Sequence, residues 1–308
     1  MKSLSTLAAI TVLAFAACEP KDSGDGTQAA RDALPTSDTL SITVPGGTGK
    51  AAEKVGDVAS TYLLTRAVAG TLNGSAAAIL ILARTITEYP VTSIEGDTYV
   101  WGPWSDALKP GQYRMTVRQT SEGDFVWAIE GRDKGSSDAF AAIVSGTAHP
   151  GQPHRGSGSF TFDCDLSHAI DPYGGCDDGG QISVTYDLEH APATITVDDE
   201  KLAPMPDGTQ GLQTFHYAYA QASDGGGSLT FSTYGDTDDL GAKWENTTYT
   251  SRWKASGAGR TDASVTGGDI GSITVSAIEC WSTSYLRTYY TDSAGWLPTE
   301  GSAAACVF

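Results

Sequence analysis

Residues 113–118, Tyr113-Arg114-Met115-Thr116-Val117-Arg118, alternate apolar and polar side chains. After the turn Ser121-Glu122-Gly123-Asp124 the alternation resumes in Phe125-Val126-Trp127-Ala128-Ile129. A period of two puts every second side chain on one face, so the two segments read as an antiparallel hairpin with one apolar face. The pattern continues outward. Phe160, Phe162 and Cys164 share a face, as do Ile182, Val184, Tyr186 and Leu188. Further runs centre on Phe140–Val144, Ile195–Val197, Phe215–Tyr219, Leu229–Phe231, Tyr249–Trp253 and Ile273–Ala277. Turn residues separate them, as in Asp224-Gly225-Gly226-Gly227. The pattern predicts about eleven to thirteen strands, each with one apolar face, in a mainly β chain with a large antiparallel meander. Twist would curl so many strands into a barrel, a half-barrel or a two-layer sandwich.

The segments Gly158-Ser159-Phe160-Thr161-Phe162, Gly227-Ser228-Leu229-Thr230-Phe231 and Gly271-Ser272-Ile273-Thr274-Val275 echo one another, with Gly180-Gln181-Ile182-Ser183-Val184 a looser copy. The echo fits a repeated hairpin, and equally fits strands that simply start with Gly-Ser and then alternate.

Residues 49–88 carry a different period. Val55, Val58, Ala59, Tyr62 and Leu63 fall on one helical face. Asn73-Gly74-Ser75 predicts a break, Ser75 a cap for a second helix, and Pro90 its end. The second helix, Ala76 to Tyr89, is apolar nearly all round as far as Ala83. A helical hairpin lying on the sheet is therefore expected. Its second helix would turn Ile79, Leu80, Ile81 and Leu82 towards an apolar ligand or into plain core. Helices preceding a curved sheet resemble, in outline only, the periplasmic lipid carriers of the LolA type.

The chain has 308 residues with 37 acidic and 19 basic side chains, a formal charge of −18. That field disfavours nucleic acid and anionic headgroups as partners. With 36 Gly and 13 Pro, composition fits a turn-rich packed domain and falls short of low complexity. At the start, Lys2 precedes a mostly apolar run from Leu4 to Ala17, too short for a permanent membrane helix and patterned as a secretion signal. It closes on Phe15-Ala16-Ala17-Cys18. This segment resembles the lipobox of bacterial lipoproteins. The resemblance implies cleavage after residue 17, a diacylglycerol on the Cys18 sulfur, and membrane attachment through that lipid. Glu19, in place of Asp, leans towards the outer membrane. The expected organisation is a signal peptide at 1–17, a lipidated flexible tether at 18–47 and a single β-rich domain with N-terminal helices at 48–308.

Four cysteines remain: Cys164, Cys176, Cys280 and Cys306. An even number in an exported chain reads as two disulfides, and of three possible pairings the local one, Cys164–Cys176 with Cys280–Cys306, needs no long-range coincidence. A rival reading places zinc among Asp163, Cys164, Asp165, His168, Asp171, Cys176, Asp177 and Asp178, where only Cys164 and His168 have the spacing of paired ligands, or calcium on Asp171, Asp177 and Asp178; a solvated acidic loop is the plainer account. Pro45-Gly46-Gly47-Thr48-Gly49-Lys50 imitates a phosphate loop but lacks its first glycine, and Asp236-Thr237-Asp238-Asp239-Leu240-Gly241 imitates an EF-hand but lacks its bidentate Glu. No cofactor signature is present, and His154 near Ser157 and Ser159 is not singled out as a catalytic pair. Trp101, Trp104, Trp244, Tyr249, Trp253, Trp281, Tyr285, Tyr289, Tyr290 and Trp296 read mainly as core. Three functions remain open: a binder of an apolar ligand, a glycan- or protein-binding surface module, and a hydrolase.

Overall fold

The computed structural model describes residues 25–36, 38–46, 55–174, 176, 179–205, 207–236 and 243–306, with residues 25, 26, 75–78 and 80 described by their backbone alone. Cys18, the signal segment, most of the phosphate-loop lookalike, and Asp177 and Asp178 lie outside the described residues. The chain divides into two compact units. The first takes the chain up to Leu40 and Gly74–Glu189; the second takes Ser41–Asn73 and everything from His190.

The first unit contains α1 (Asp25–Ala33), β1 (Ser93–Glu95), β2 (Thr98–Trp104), β3 (Gly111–Gln119), β4 (Phe125–Asp133), β5 (Ala141–Gln152), β6 (Arg155–Asp163), α3 (Cys164–Ile170) and β7 (Gln181–Asp187). Its strands pair antiparallel in chain order. Register aligns Val117, Trp127, Gly146, Phe160 and Val184 in one row, with Met115, Ile129, Val144, Phe162 and Ile182 beside it. These rows are the core face that the alternation predicted, and Met115, Val117, Trp127, Phe160 and Val184 are fully buried.

Part of the expected tether belongs to this core. Ala30, Ala33, Leu34 and Leu40 are buried, His154 Nδ1 lies 3.0 Å from the Leu34 carbonyl, and Arg31 Nε donates to the Thr87 carbonyl at 2.5 Å. Polar composition suggested a free linker, but a few small apolar residues one helical turn apart are enough to dock α1.

The second unit contains β8 (Ala193–Pro204), β9 (Gln210–Gln221), β10 (Gly227–Gly235), β11 (Glu245–Trp253), β12 (Gly259–Gly267), β13 (Thr274–Trp281), β14 (Arg287–Asp292) and β15 (Glu300–Gly301). These strands too pair antiparallel in chain order. Neither run closes on itself, so the barrel expectation is corrected to open meanders. Closure needs long edge strands, and the edge strands are β1, of three residues, and β15, of two. Short edges also leave little template for strand addition.

The helical hairpin is corrected as well. One helix, α2 (Ser60–Glu88), runs through Asn73 and both glycines, its residues to Asn73 belonging to the second unit and those from Gly74 to the first. Asn73 does not stop its own helix because its amide serves a neighbour: Oδ1 accepts from Ile42 N–H at 2.6 Å and Nδ2 donates to the Ile42 carbonyl at 2.9 Å. Among the described residues no helix is long and apolar enough to cross a membrane.

One packing device recurs. A glycine sits directly across from a large aromatic on the next strand in the pairs Gly146–Trp127, Gly158–Tyr186, Gly227–Trp253 and Gly259–Trp281. The ring lies over the bare backbone, and a Cβ added at Gly227 would meet Trp253 Cζ2 at 2.8 Å and the Ala220 carbonyl at 2.9 Å. Gly227→Val is therefore expected to lower stability by about 1–3 kcal/mol through overpacking. Exposed Gly70, mid-helix with open space around it, gives the opposite sign: Gly70→Ala is expected to add roughly 0.5–1 kcal/mol. Urea denaturation of the two variants checks both.

Candidate functional site

The site is built where the N-terminal half of α2 lies on the second unit's apolar face. Register aligns Ile195, Tyr219, Leu229, Ser251, Thr261 and Glu279 in one row across β8 to β13. The row starts apolar and ends in a buried carboxylate. Glu279 Oε2 accepts from Thr61 N–H at 2.6 Å and Thr61 Oγ1 at 2.7 Å, while Oε1 accepts from Ser60 N–H at 3.2 Å and Arg287 Nε at 2.6 Å. An anion thus meets the unpaired amides and positive dipole end of the helix. Arg287 also reaches Glu300 at 3.3 Å. Hydroxyls continue the network: Thr65 Oγ1 to Ser251 Oγ at 2.6 Å, and Ser251 Oγ to Thr261 Oγ1 at 2.7 Å. Backbone bonds join the same region, from Arg287 N–H to Asp57 and from Ala59 N–H to Tyr285, and Tyr62 stacks on Tyr285 at 4.7 Å.

The adjacent row is aromatic. Tyr217, Phe231 and Tyr249 face one another across β9, β10 and β11, with Phe215 alongside. Ring centroids lie 5.0 Å apart for Tyr217–Phe231 and 6.4 Å apart for both Phe231–Tyr249 and Phe215–Phe231, with planes within 9–19° of parallel. All four are half-buried. Burial raises the Tyr217 phenol well above its ordinary range, with Asp199 adding to the effect, and burial raises Tyr249 too. Thr61, Leu64, Thr65 and Val68 of α2 border this strip, leaving a recess of only about 10 Å³ beside Leu229, Phe231 and Tyr249. That holds one water at most.

The residues singled out by sequence fall elsewhere. Ile81 is 51% exposed, Ile79 and Leu82 are half-buried, and no described cavity is lined by them; the Leu80 side chain is outside the described residues. An all-round apolar stretch predicts cover on every side, yet Ile81 faces solvent. The disulfides are Cys164–Cys176 and Cys280–Cys306, with Cα separations of 5.0 and 5.4 Å that suit a bridge. Bridged sulfurs are not thiolate ligands, which removes the zinc reading. Acidic residues nearby have structural partners: Asp163 caps α3 at Leu166 N–H, Asp165 accepts from Gly180 N–H, and Asp171 pairs with Lys109 at 2.8 Å. Of the tryptophans, Trp101, Trp244, Trp253 and Trp281 are buried as expected, whereas Trp296 is 68% exposed.

A polar row missed by sequence reading lies on the opposite face. Asp198, His216, Ser232 and Thr248 are aligned across β8 to β11, His216 Nδ1 lies 2.6 Å from Asp198, and Ser232 Oγ lies 3.2 Å from Thr248 Oγ1. The order resembles a nucleophile, base and orienting acid. The strand amides beneath are committed to the ladder, so they offer no oxyanion donors. No protein-family model, curated protein or solved structure matches the chain.

Two outcomes follow. Removing the charge in Glu279→Gln leaves Arg287 buried beside a neutral amide, and is expected to cost about 3–5 kcal/mol. Helix protection in residues 60–66 should fall with it, as read by hydrogen exchange. For the alkaline limit, burial and then the Asp171 charge push the Tyr113 phenol up to about 12, and burial followed by Asp292 pushes Tyr290 up to about 12. Phenols that resist ionisation in the folded chain contribute stability that is complete below their ordinary value of 10 and lost as pH rises through about 12. Ultraviolet titration should show late-ionising tyrosines and unfolding in that window, and Tyr113→Phe should narrow it.

Proposed function

We propose that this chain is a lipid-anchored cell-envelope protein, held at the outer membrane through Cys18, that works by binding an apolar partner along the Phe215–Tyr217–Phe231–Tyr249 strip. The observation that carries the reading is this strip, still half-buried beside the exposed Leu64 after the fold is complete. Half-covered rings with a helix wall alongside form a groove suited to an acyl chain or an apolar protein segment. A preformed cavity is not required: the recess under α2 is too small for a ligand, so a partner would lie along the strip.

Ring geometry favours this over glycan binding. Sugars stack on exposed ring faces, but centroids at 5.0 Å with near-parallel planes mean that the rings overlap and spend their faces on each other. Envelope placement rests on Phe15-Ala16-Ala17-Cys18, on Glu19, and on two disulfides, which persist in oxidising compartments.

The anchor is checked by intact mass of the protein purified from membranes: residues 1–17 missing and a diacylglycerol added is expected, and an unlipidated chain starting elsewhere would refute it. The groove is checked with the delipidated, oxidised chain and a fluorescent fatty acid. Saturable binding is expected, weakened at least fivefold in Tyr217→Ser or Phe231→Ser with unchanged circular dichroism. Absence of saturable binding by a folded sample removes the reading.

A further inference from the structure

The first unit carries a second, unrelated concavity of about 260 Å³ on the polar face of β1 to β4, lined by Glu95, Thr98, Arg114, Thr116, Arg118, Val126, Ala128 and Glu130 with Trp127 at its base. Register explains the hollow. Thr116 lies across from Ala128, and both are short, while the next same-face positions along the strands hold long side chains: the Arg114–Glu130 pair on one side and Arg118 on the other. Residues 114 and 118 are separated by about 13 Å along an extended strand. The result is a trough with a small-residue floor and charged ends.

One end is built and closed. Arg114 Nε donates to Glu130 at 2.7 Å and its guanidinium stacks on Phe140 at 4.7 Å, where Arg132 stacks at 4.2 Å. Arg132 is itself held by Gln112 and the Asp138 carbonyl. The other end is open. Glu95, Thr98, Arg118 and Val126 form one row across four strands. Arg118 lies 3.9 Å from Asp97, beyond hydrogen-bond length, and is 45% exposed. Glu95 contacts Ser93 at 3.4 Å. A guanidinium and a carboxylate thus flank a threonine hydroxyl at the mouth of a hollow. Arg114 and Arg118 offset Glu95 and Glu130 in the lining, and Asp97 beside Arg118 leaves one negative charge in excess, which suits a ligand that carries its own ammonium.

We propose that this trough binds small zwitterions, a free amino acid or a dipeptide of small residues. The ligand carboxylate pairs with the Arg118 guanidinium, its ammonium with Glu95, and its side chain rests on Thr116 and Ala128. A guanidinium takes a carboxylate in two parallel hydrogen bonds, which gives orientation as well as attraction. The short floor limits the side chain to a methyl or hydroxymethyl group.

Isothermal titration of the full chain with L-alanyl-L-alanine tests it. Saturable heat is expected for the free dipeptide, none for its N-acetylated amide, and none for inorganic phosphate. Arg118→Gln and Glu95→Gln should each weaken binding at least tenfold, and Ala128→Phe, which fills the floor from an exposed face, should abolish it. Absence of heat with the free dipeptide overturns the proposal. So does equal binding of the capped peptide or of phosphate, or unchanged binding in the folded Arg118→Gln or Ala128→Phe proteins.

Discussion

A buried carboxylate at the start of a helix organises the second unit. Glu279 is 1% exposed and Arg287 3%, so each would be costly without the other. With Ser60 and Thr61 N–H groups completing its shell, Glu279 serves as the N-terminal cap that the sequence of α2 does not supply locally. The cap comes instead from β13, more than two hundred residues away. Its effect is to set where the helix starts and which residues it turns to the sheet. Tyr62, Thr65, Ala69 and Leu72 then fall inward at helical spacing, and Leu64 and Val68 are left flanking the aromatic strip.

Around that point, both meanders solve the same steric problem. Broad rings on a closely spaced sheet need room, and bare glycine backbone on the neighbouring strand provides it. The arrangement costs hydrogen bonding in places. Trp281 Nε1 donates to the Gly257 carbonyl at 2.9 Å, but the buried indole N–H groups of Trp127 and Trp253 find no partner among the described residues. Opposite faces are lined by hydroxyls paired across strands, as in Thr230 with Thr250 and Thr161 with Ser183, so they remain wetted without exposing apolar area.

Much of this was legible in the chain. Alternation located most strands and their inner face, and cysteine spacing located the bridges. The short strands escaped because β1, β14 and β15 are too brief or too polar to show a period. Continuity of α2 escaped because Asn73 and Gly74 signal a break locally, whereas Ile42 engages the Asn73 amide from outside the helix. Ser251, Thr261 and Glu279 were invisible for a related reason. They interrupt an apolar face with polar groups whose partners lie far along the chain, and only the register brings them together. The glycine echo holds only in part: Gly158 lies within β6 and Gly227 opens β10, each across from an aromatic, but Gly271 sits in a turn at φ 64°.

The central claim is that binding occurs at the aromatic strip that α2 frames. Hydrogen exchange of the oxidised, delipidated chain, with and without a saturating fatty acid, tests it most directly. Added protection confined to residues 60–73 and 213–253 is the predicted result. Protection confined to the first unit, or none at all despite bound ligand, would contradict it.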